Sequence, residues 1–585
     1  MHRHLHRHAG AGDSGLCHPP ERLEGGGKTR RHDREQVIRP MMVSDRATPI
    51  AWMLAGALLA GCASGDTPAD PPGASPVMRR LTQEQYRQSI ADIFGADIKI
   101  AGRFEPDLRT DGLLALGTTE VSVTPAGFEQ YNTMARTIAA QVVDEKHRDA
   151  LVICKPAAIK APDDACAGAV LARTGRSLFR RPLTKDELAK TVSMAAAAAR
   201  TFGNFYSGLE FALAGLLVAP EFLFRVEVAK GGELDAFSKA SRLSYLLWNT
   251  TPDEPLLAAA EKGELNSEKG LVRQVDRLMA SPRLAAGTHA FFADMLGFDR
   301  FEELAKDAII YPAYSLKVAI DAREQTLRTV TDHLIVRGGD YRDLFTTKRT
   351  FMTRALGTVY RVPVAAAAGW EPFEFPADDP RAGLLSQISF VAIHSHPGRS
   401  SPTLRGKAVR ELLLCQEVPA PPGNVNFNVV QDTSNPKFRT ARDRLTAHSS
   451  EPMCAGCHKI TDPIGLGLEN FDGLGQYRTA ENGAPINAGG ELNGFVFKDA
   501  ASLGKALHDD PAATSCLASN VYKYAAGHKL RAADMPWVEA LKRDFAAGGY
   551  RMPDLLRRVA TNAASYKVSM PSAQTKVALL EGSKP

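Results

Sequence analysis

The sequence is short of several things, and each shortage removes a class of protein. No apolar run near either end reaches the roughly 18–20 residues that cross a bilayer as a helix; the nearest, Ile50–Gly61, has 12. Charge of one sign is missing too. Lys and Arg number 71 against 66 Asp and Glu, a formal +5. Residues 1–61 hold nine of the basic and six of the acidic side chains, which leaves +2 for the remainder. A nucleic-acid partner needs a concentrated basic face, so none is expected. Internal repeats are absent, and so is the βαβ setting of a thioredoxin-like thiol pair. Strand signals are few; FMTRALGTVYRVP and SQISFVAIHSH are the best of them. Cysteine is scarce enough for each of the eight to be considered in turn.

What is present at the N-terminus reads as an address. MHRHLHRH resembles a metal-binding tract, but the segment to Pro40 has no hydrophobic period and lies upstream of an export signal, with Met41 or Met42 as an alternative start. Arg46, the apolar run and Leu59-Ala60-Gly61-Cys62 then form a signal peptide. The last four residues resemble a bacterial lipobox, which implies lipidation of Cys62 and a membrane anchor; an ordinary signal with an incidental cysteine is the alternative. Ala63 after the cysteine implies, by the same resemblance, sorting to the outer membrane. The expected location is therefore exported, periplasmic or cell-surface.

The mature chain reads as mainly α, with length for roughly three or four domains. Thr82 with Gln85, Thr184 with Glu187, and Ser207 with Glu210 have capping-box spacing ahead of apolar periods. Tyr206–Phe224 is apolar nearly all round, a buried helix that Pro220 is expected to end. SEKGLVRQVDRLM places Leu271, Val272, Val275, Leu278 and Met279 on one helical stripe. In Ala322–Gly339, Leu327, Val330 and Leu334 form the inner face, and His333 reads as a surface or half-buried side chain. The expected segments are 1–61 (upstream segment and signal), 62–77 (linker), 78–150, 151–230 and 231–363 (helical domains), 364–380 (linker), 381–485, 486–570 (C-terminal helical domain) and 571–585 (tail).

The chemistry concentrates in EPMCAGCHKITDPIG, Glu451–Gly465. In C-x-x-C-H, two thiols separated by two residues can add to the two vinyl groups of one porphyrin, and the adjacent histidine ligates the iron. Cys454, Cys457 and His458 are the attachment set, haem c the cofactor, and 381–485 the cytochrome-c-like haem segment. A zinc corner, with His394 and His396 completing a four-ligand site, is an alternative, as is a redox thiol pair. Of the other cysteines, Cys17 lies upstream. An oxidising compartment favours two disulfides: Cys154 with Cys166 as the local choice, Cys415 with Cys516 by elimination. Free buried thiols are the alternative. Arg399, Arg405 and Arg478 have guanidinium forks suited to propionates, with ordinary salt bridging as the bland reading. Glu469, Asp472 and Asp462-Pro463 read as turn and cap residues.

Six segments extend the reading. RRLTQEQYRQSIADIFG, LFRRPLTKDEL, LVAPEFLFRVE, SRLSYLLWNTTPDEPLL, SHPGRSSPTLRGKAVRELLLCQEVPAPPGNV and DPIGLGLENFDGLGQYR resemble, in that order, a family of large exported proteins of planctomycetes and myxobacteria. The family links domains of unknown function 1587, 1595, 1592, 1588 and 1585 and includes a cytochrome-like C-x-x-C-H segment. The resemblance covers nearly all of Arg79–Lys567. It implies a helical haem-c protein and no particular reaction. This chain lacks the second C-x-x-C-H that many relatives carry, and it reads Gly527-His528 where the family has Gly-Arg. His396, in the family's Ser-His-Pro segment, is the first choice for the iron's sixth ligand; His394, His448, Met535, Met552 and Met570 are the others. The expected function is electron exchange with a periplasmic or outer-membrane redox partner. The alternatives are a haem peroxidase or oxygenase, and a non-redox surface protein with a zinc or disulfide staple.

Overall fold

The computed structural model describes residues 77–420, 428–450 and 452–568. The histidine tract, Cys17, the apolar run, Cys62 and Met570 lie outside them. The described chain is mainly helical, 58% helix against 7% strand, and its sheets are all two-stranded antiparallel pairs.

Strand β1 (Met78–Arg80) leads into helix α1 (Gln83–Phe94) through the expected capping box: the Thr82 hydroxyl accepts from the Gln85 amide at 3.2 Å. Helices α2 (Pro125–Val143), α3 (Asp164–Phe179), α4 (Lys185–Phe202) and α5 (Phe205–Leu217) follow. Thr184 and Glu187 cap α4 as their spacing predicts. The cap of α5 differs from expectation. Asn204 takes it, accepting from the amides of Tyr206 and Ser207, because α4 ends at left-handed Gly203 and the chain must turn into the next helix at once. Pro220 also behaves differently: α5 has already ended at Leu217, and Pro220 opens a short turn, where its missing N–H has no partner to lose. Strand β2 (Phe224–Val226) then pairs with β1, Arg79 facing Arg225. Tyr86, Ile90, Met134, Ile138, Leu171, Leu209 and Phe222 fill the core of this part.

Helices α6 (Ala236–Leu247), α7 (Glu268–Met279), α8 (Arg283–Met295) and α9 (Leu316–Thr331) form the middle. On α7, Leu271, Val275 and Leu278 are buried as the stripe predicts. After α9 the helix widens into one π turn, Asp332–Val336. His333 on that turn is buried, not at the surface, because its Nε2–H donates to the Asp340 carbonyl at 2.7 Å. Strand β3 (Arg349–Met352) and helix α10 (Arg354–Tyr360) divide the first strand candidate, and β3 pairs with β4 (Glu371–Glu374). The second candidate is helical: α11 (Ile388–Ile393) is buried at every position. A short all-apolar run does not distinguish a buried strand from a buried helical turn.

The chain continues through α12 (Pro402–Ala408), α13 (Ala441–His448), α14 (Pro452–Leu466), the hairpin β5 (Gly490–Leu492) and β6 (Phe495–Phe497), then α15 (Ala500–Asp509), α16 (Pro511–Ala526), α17 (Met535–Ala547) and α18 (Met552–Thr561). One continuous core runs from Leu243, Phe292 and Leu327 through Val409, Ile464 and Phe471 to Leu517 and Leu555. Both expected disulfides are formed. Cys154–Cys166 closes a local loop, and Cys415–Cys516 ties the segment after α12 to α16.

A buried ion cluster ties the first described strand to the last described turn. Glu227, just past β2, meets Arg79 at 2.7 Å and Arg242 on α6 at 2.6 Å. Arg242 also donates to the Ser565 carbonyl. Burial pushes the Glu227 carboxyl up, but the two guanidinium charges more than reverse it, to about 2.

Candidate functional site

Helix α14 carries Cys454, Cys457 and His458. At three and four residues apart they share one face of the helix. Both thiols are partly buried and unbonded. The Cys457 sulfur lies 3.8 Å from the Pro419 carbonyl. Asp462-Pro463, read from the sequence as a turn, is inside this helix. Asp462 therefore falls one turn beyond His458, and its Oδ2 lies 2.7 Å from His458 Nδ1. A carboxylate only accepts, so Nδ1 carries the proton and the Nε2 lone pair is left for a metal.

Two glycines hold α14 to its neighbour. A Cβ on Gly406 would stand 1.9 Å from the Thr461 carbonyl oxygen, and one on Gly465 would stand 1.7 Å from that of Pro402. The backbones of α12 and α14 touch at these points. Their contact brings Thr403 to Asp462, and the Thr403 hydroxyl donates to Asp462 Oδ1 at 2.8 Å. On the other side, the His448 ring of α13 packs edge-on against His458, with centroids 4.9 Å apart. Two imidazoles facing each other across a metal at about 2.0–2.1 Å per bond need a wider centre-to-centre gap. His448 thus flanks His458.

The three arginines part company. Arg405 is fully buried, and its terminal nitrogens donate to the carbonyls of Leu468, Phe471, Asp472 and Val391 and to Ser395 Oγ. It also meets Glu469 at 3.4 Å. Arg478 donates to Ser400 Oγ and to Glu469 at 3.0 Å. These two are spent on the protein's own frame, so the propionate role expected of them does not fit. Glu469 is no turn residue either: it is buried between them, and burial raises its carboxyl above the ordinary value in spite of both guanidiniums. Asp472 does cap a turn, Oδ1 accepting from the amides of Leu474, Gly475 and Gln476. Arg399 is different again. It is half-buried, its guanidinium has no hydrogen-bonded or ionic partner among the described residues, and burial together with nearby Arg444 disfavours its charge.

His396 and His394 sit on the loop before α12. The His396 amide donates to the Arg399 carbonyl, and Lys306 Nζ holds the carbonyls of Ala392 and His396 at 2.9 and 3.2 Å. Burial, Arg399 and Lys306 push the His396 imidazole down to about 4, so the ring is neutral at physiological pH; no hydrogen bond to it forms among the described residues. His394 is buried, its Nδ1 accepting from Arg300 at 3.2 Å and its ring against Phe390. That commits His394 elsewhere and speaks against the alternative Cys₂His₂ corner. Among the described residues no group of three or more metal-binding side chains assembles. Met552 is buried at the start of α18, and Met535 opens α17.

Sequence reasoning missed Asp462 and Thr403. The spacing of four between His458 and Asp462 was the available signal, hidden by reading Asp-Pro as a turn. Comparison with curated proteins and with solved structures finds no match. Family models do match, each described as a protein of unknown function: DUF1587 over residues 79–144, DUF1595 over 166–227, DUF1592 over 234–362, DUF1588 over 381–481 and DUF1585 over 493–564. The Cys454–His458 helix lies within the DUF1588 span, and the chain carries these five domains of unknown function linked in this order.

Proposed function

We propose that the protein is an exported, lipid-anchored c-type haem protein that passes single electrons to and from a redox partner. The observation that carries the reading is the state of α14: two unbonded thiols and a histidine on one face, with the histidine's other nitrogen already committed to a carboxylate. Cys454 and Cys457 would hold the group as two thioethers, each S–H adding across a vinyl C=C bond, sulfur to one carbon and hydrogen to the other, so that no atom leaves. His458 offers Nε2 to the iron. Arg399, a half-buried cation without an anionic partner among the described residues, is suited to a propionate. His396, neutral and without a side-chain hydrogen bond among those residues, is the sixth-ligand candidate. Once bound, the iron supplies a one-electron couple. The remaining helices serve as scaffold and partner-docking surface, and Cys62 as the anchor.

The test is spectroscopic. Protein secreted from a host with haem-c assembly is expected to keep its Soret band through acid-acetone extraction and to give a c-type pyridine haemochrome. Cys457→Ser is expected to retain at most one thioether. A wild-type spectrum without haem, or two-thioether attachment in Cys457→Ser, defeats the proposal. A low-spin ferric form that ignores peroxide supports electron transfer, whereas a high-spin form that reacts with it points to a haem enzyme instead.

A further inference from the structure

We infer that Asp462, held by Thr403, is a positioning residue that sets how strongly His458 donates to the iron and so fixes the midpoint potential; the inference rests on the haem reading above. The arrangement is a relay across two helices. Thr403 Oγ1 on α12 donates to Asp462 Oδ1 at 2.8 Å, and Asp462 Oδ2 accepts from His458 Nδ1 at 2.7 Å. Thr461 Oγ1 also lies 3.2 Å from Oδ1, but it shares its one proton with the Cys457 carbonyl at 3.0 Å, whereas Thr403 gives its proton to Oδ1 alone. Thr403 is thus the hydroxyl that aims the carboxylate. The Gly406 and Gly465 contacts leave α12 no room to slide along α14. Asp462 is buried, so water does not readily replace it as the acceptor.

An ionised carboxylate draws the Nδ1 proton more strongly than a neutral acceptor does. The imidazole gains anionic character, Nε2 becomes a better donor, and the ferric state is favoured over the ferrous. Thr403 tempers this, because its donated hydrogen bond withdraws charge from the carboxylate. The two residues therefore act in opposite directions. A residue that only supported the helix would not give that pattern.

The experiment is redox titration of the full-length, haem-loaded protein. Asp462→Asn keeps the shape and removes the charge. The ferrous-to-ferric ratio at a fixed ambient potential is expected to rise about tenfold or more, which for a one-electron couple is an upward shift of about 59 mV. Thr403→Val keeps His458 and Asp462 and is expected to lower the ratio, about threefold. A loaded wild type whose ratio changes less than twofold in Asp462→Asn overturns this inference alone. If Asp462→Asn does not load haem, Thr403→Val decides, and a potential equal to wild type overturns the inference. A wild type that holds no haem overturns both the haem reading and this inference.

Discussion

Replacing Arg405 and Arg399 separately by methionine separates a structural arginine from one, six residues away, that is proposed to meet a propionate. Methionine keeps most of the stem volume and removes every donor. At Arg405 the loss is large. Its guanidinium meets the carbonyls of Phe471 and Asp472 at 2.7 and 2.6 Å, that of Leu468 at 2.9 Å, and Glu469 at 3.4 Å, all in the interior. Each buried acceptor left without a donor costs about 1–3 kcal/mol, and breaking a buried ion pair by removing one partner costs about 3–5 kcal/mol. The two costs overlap, because Arg478 still holds Glu469, so the net is ~4 kcal/mol at neutral pH. The sign of the pH dependence follows from Glu469. Its folded carboxyl already lies above the ordinary value, and losing Arg405 raises it further. A raised folded pKa adds stability at low pH that is lost as pH rises through that pKa. The deficit of Arg405→Met is therefore smaller at pH 5 than at pH 7. Arg399 has no such partners, and Arg399→Met is expected to change stability by under ~1 kcal/mol. The assay is urea denaturation of the secreted full chain at both pH values, followed by far-UV circular dichroism. An Arg405→Met midpoint equal to wild type, or an equal loss in Arg399→Met, refutes the division of roles.

Reducing or removing Cys415–Cys516, which closes 101 residues of chain, is expected to cost more than removing Cys154–Cys166, which closes 12; chain entropy gives roughly 4–5 against under about 3 kcal/mol, and equal thermal shifts for the two serine-pair variants would argue against it. Glu227→Gln is expected to destabilise by about 3–5 kcal/mol by stranding Arg79 and Arg242. In the wild type the same group gives stability that is present above the unfolded carboxyl value of 4.5 and lost as pH falls toward about 2; Glu227→Gln lacks that acid transition, and a variant with an unchanged acid-unfolding curve contradicts the assignment. His396→Ala is expected to convert a low-spin ferric spectrum to a high-spin or water-ligated one; an unaltered spin state removes His396 from coordination.

The parts of the fold that were legible in the sequence are those fixed by local chemistry. Thr82 with Gln85 and Thr184 with Glu187 satisfy helix-end amides from three residues away, so their spacing suffices. The α7 stripe follows from helical period alone. Local signals failed where two of them competed. Asn204 outbid Ser207 for a cap because Gly203 had just ended the preceding helix. Ile388–Ile393, within SQISFVAIHSH, is buried on all sides and carries no period to read. Asp462-Pro463 has turn chemistry, yet tertiary packing of α14 on α12 keeps it helical. Of the site, the thiols and His458 could be read from the motif. The partners of Arg405 and Asp462, and the lack of any for the Arg399 guanidinium among the described residues, could not, because each depends on which carbonyls, charges and hydroxyls distant segments bring alongside.

Covalent haem attachment is tested by the intact mass of protein secreted with and without haem-c assembly in the host. The assembled form is expected to be heavier by one whole haem, the increment to survive denaturation, and tandem fragmentation to place it on the peptide containing Cys454 and Cys457. Equal masses for the two preparations, with both thiols free to alkylate, would contradict it.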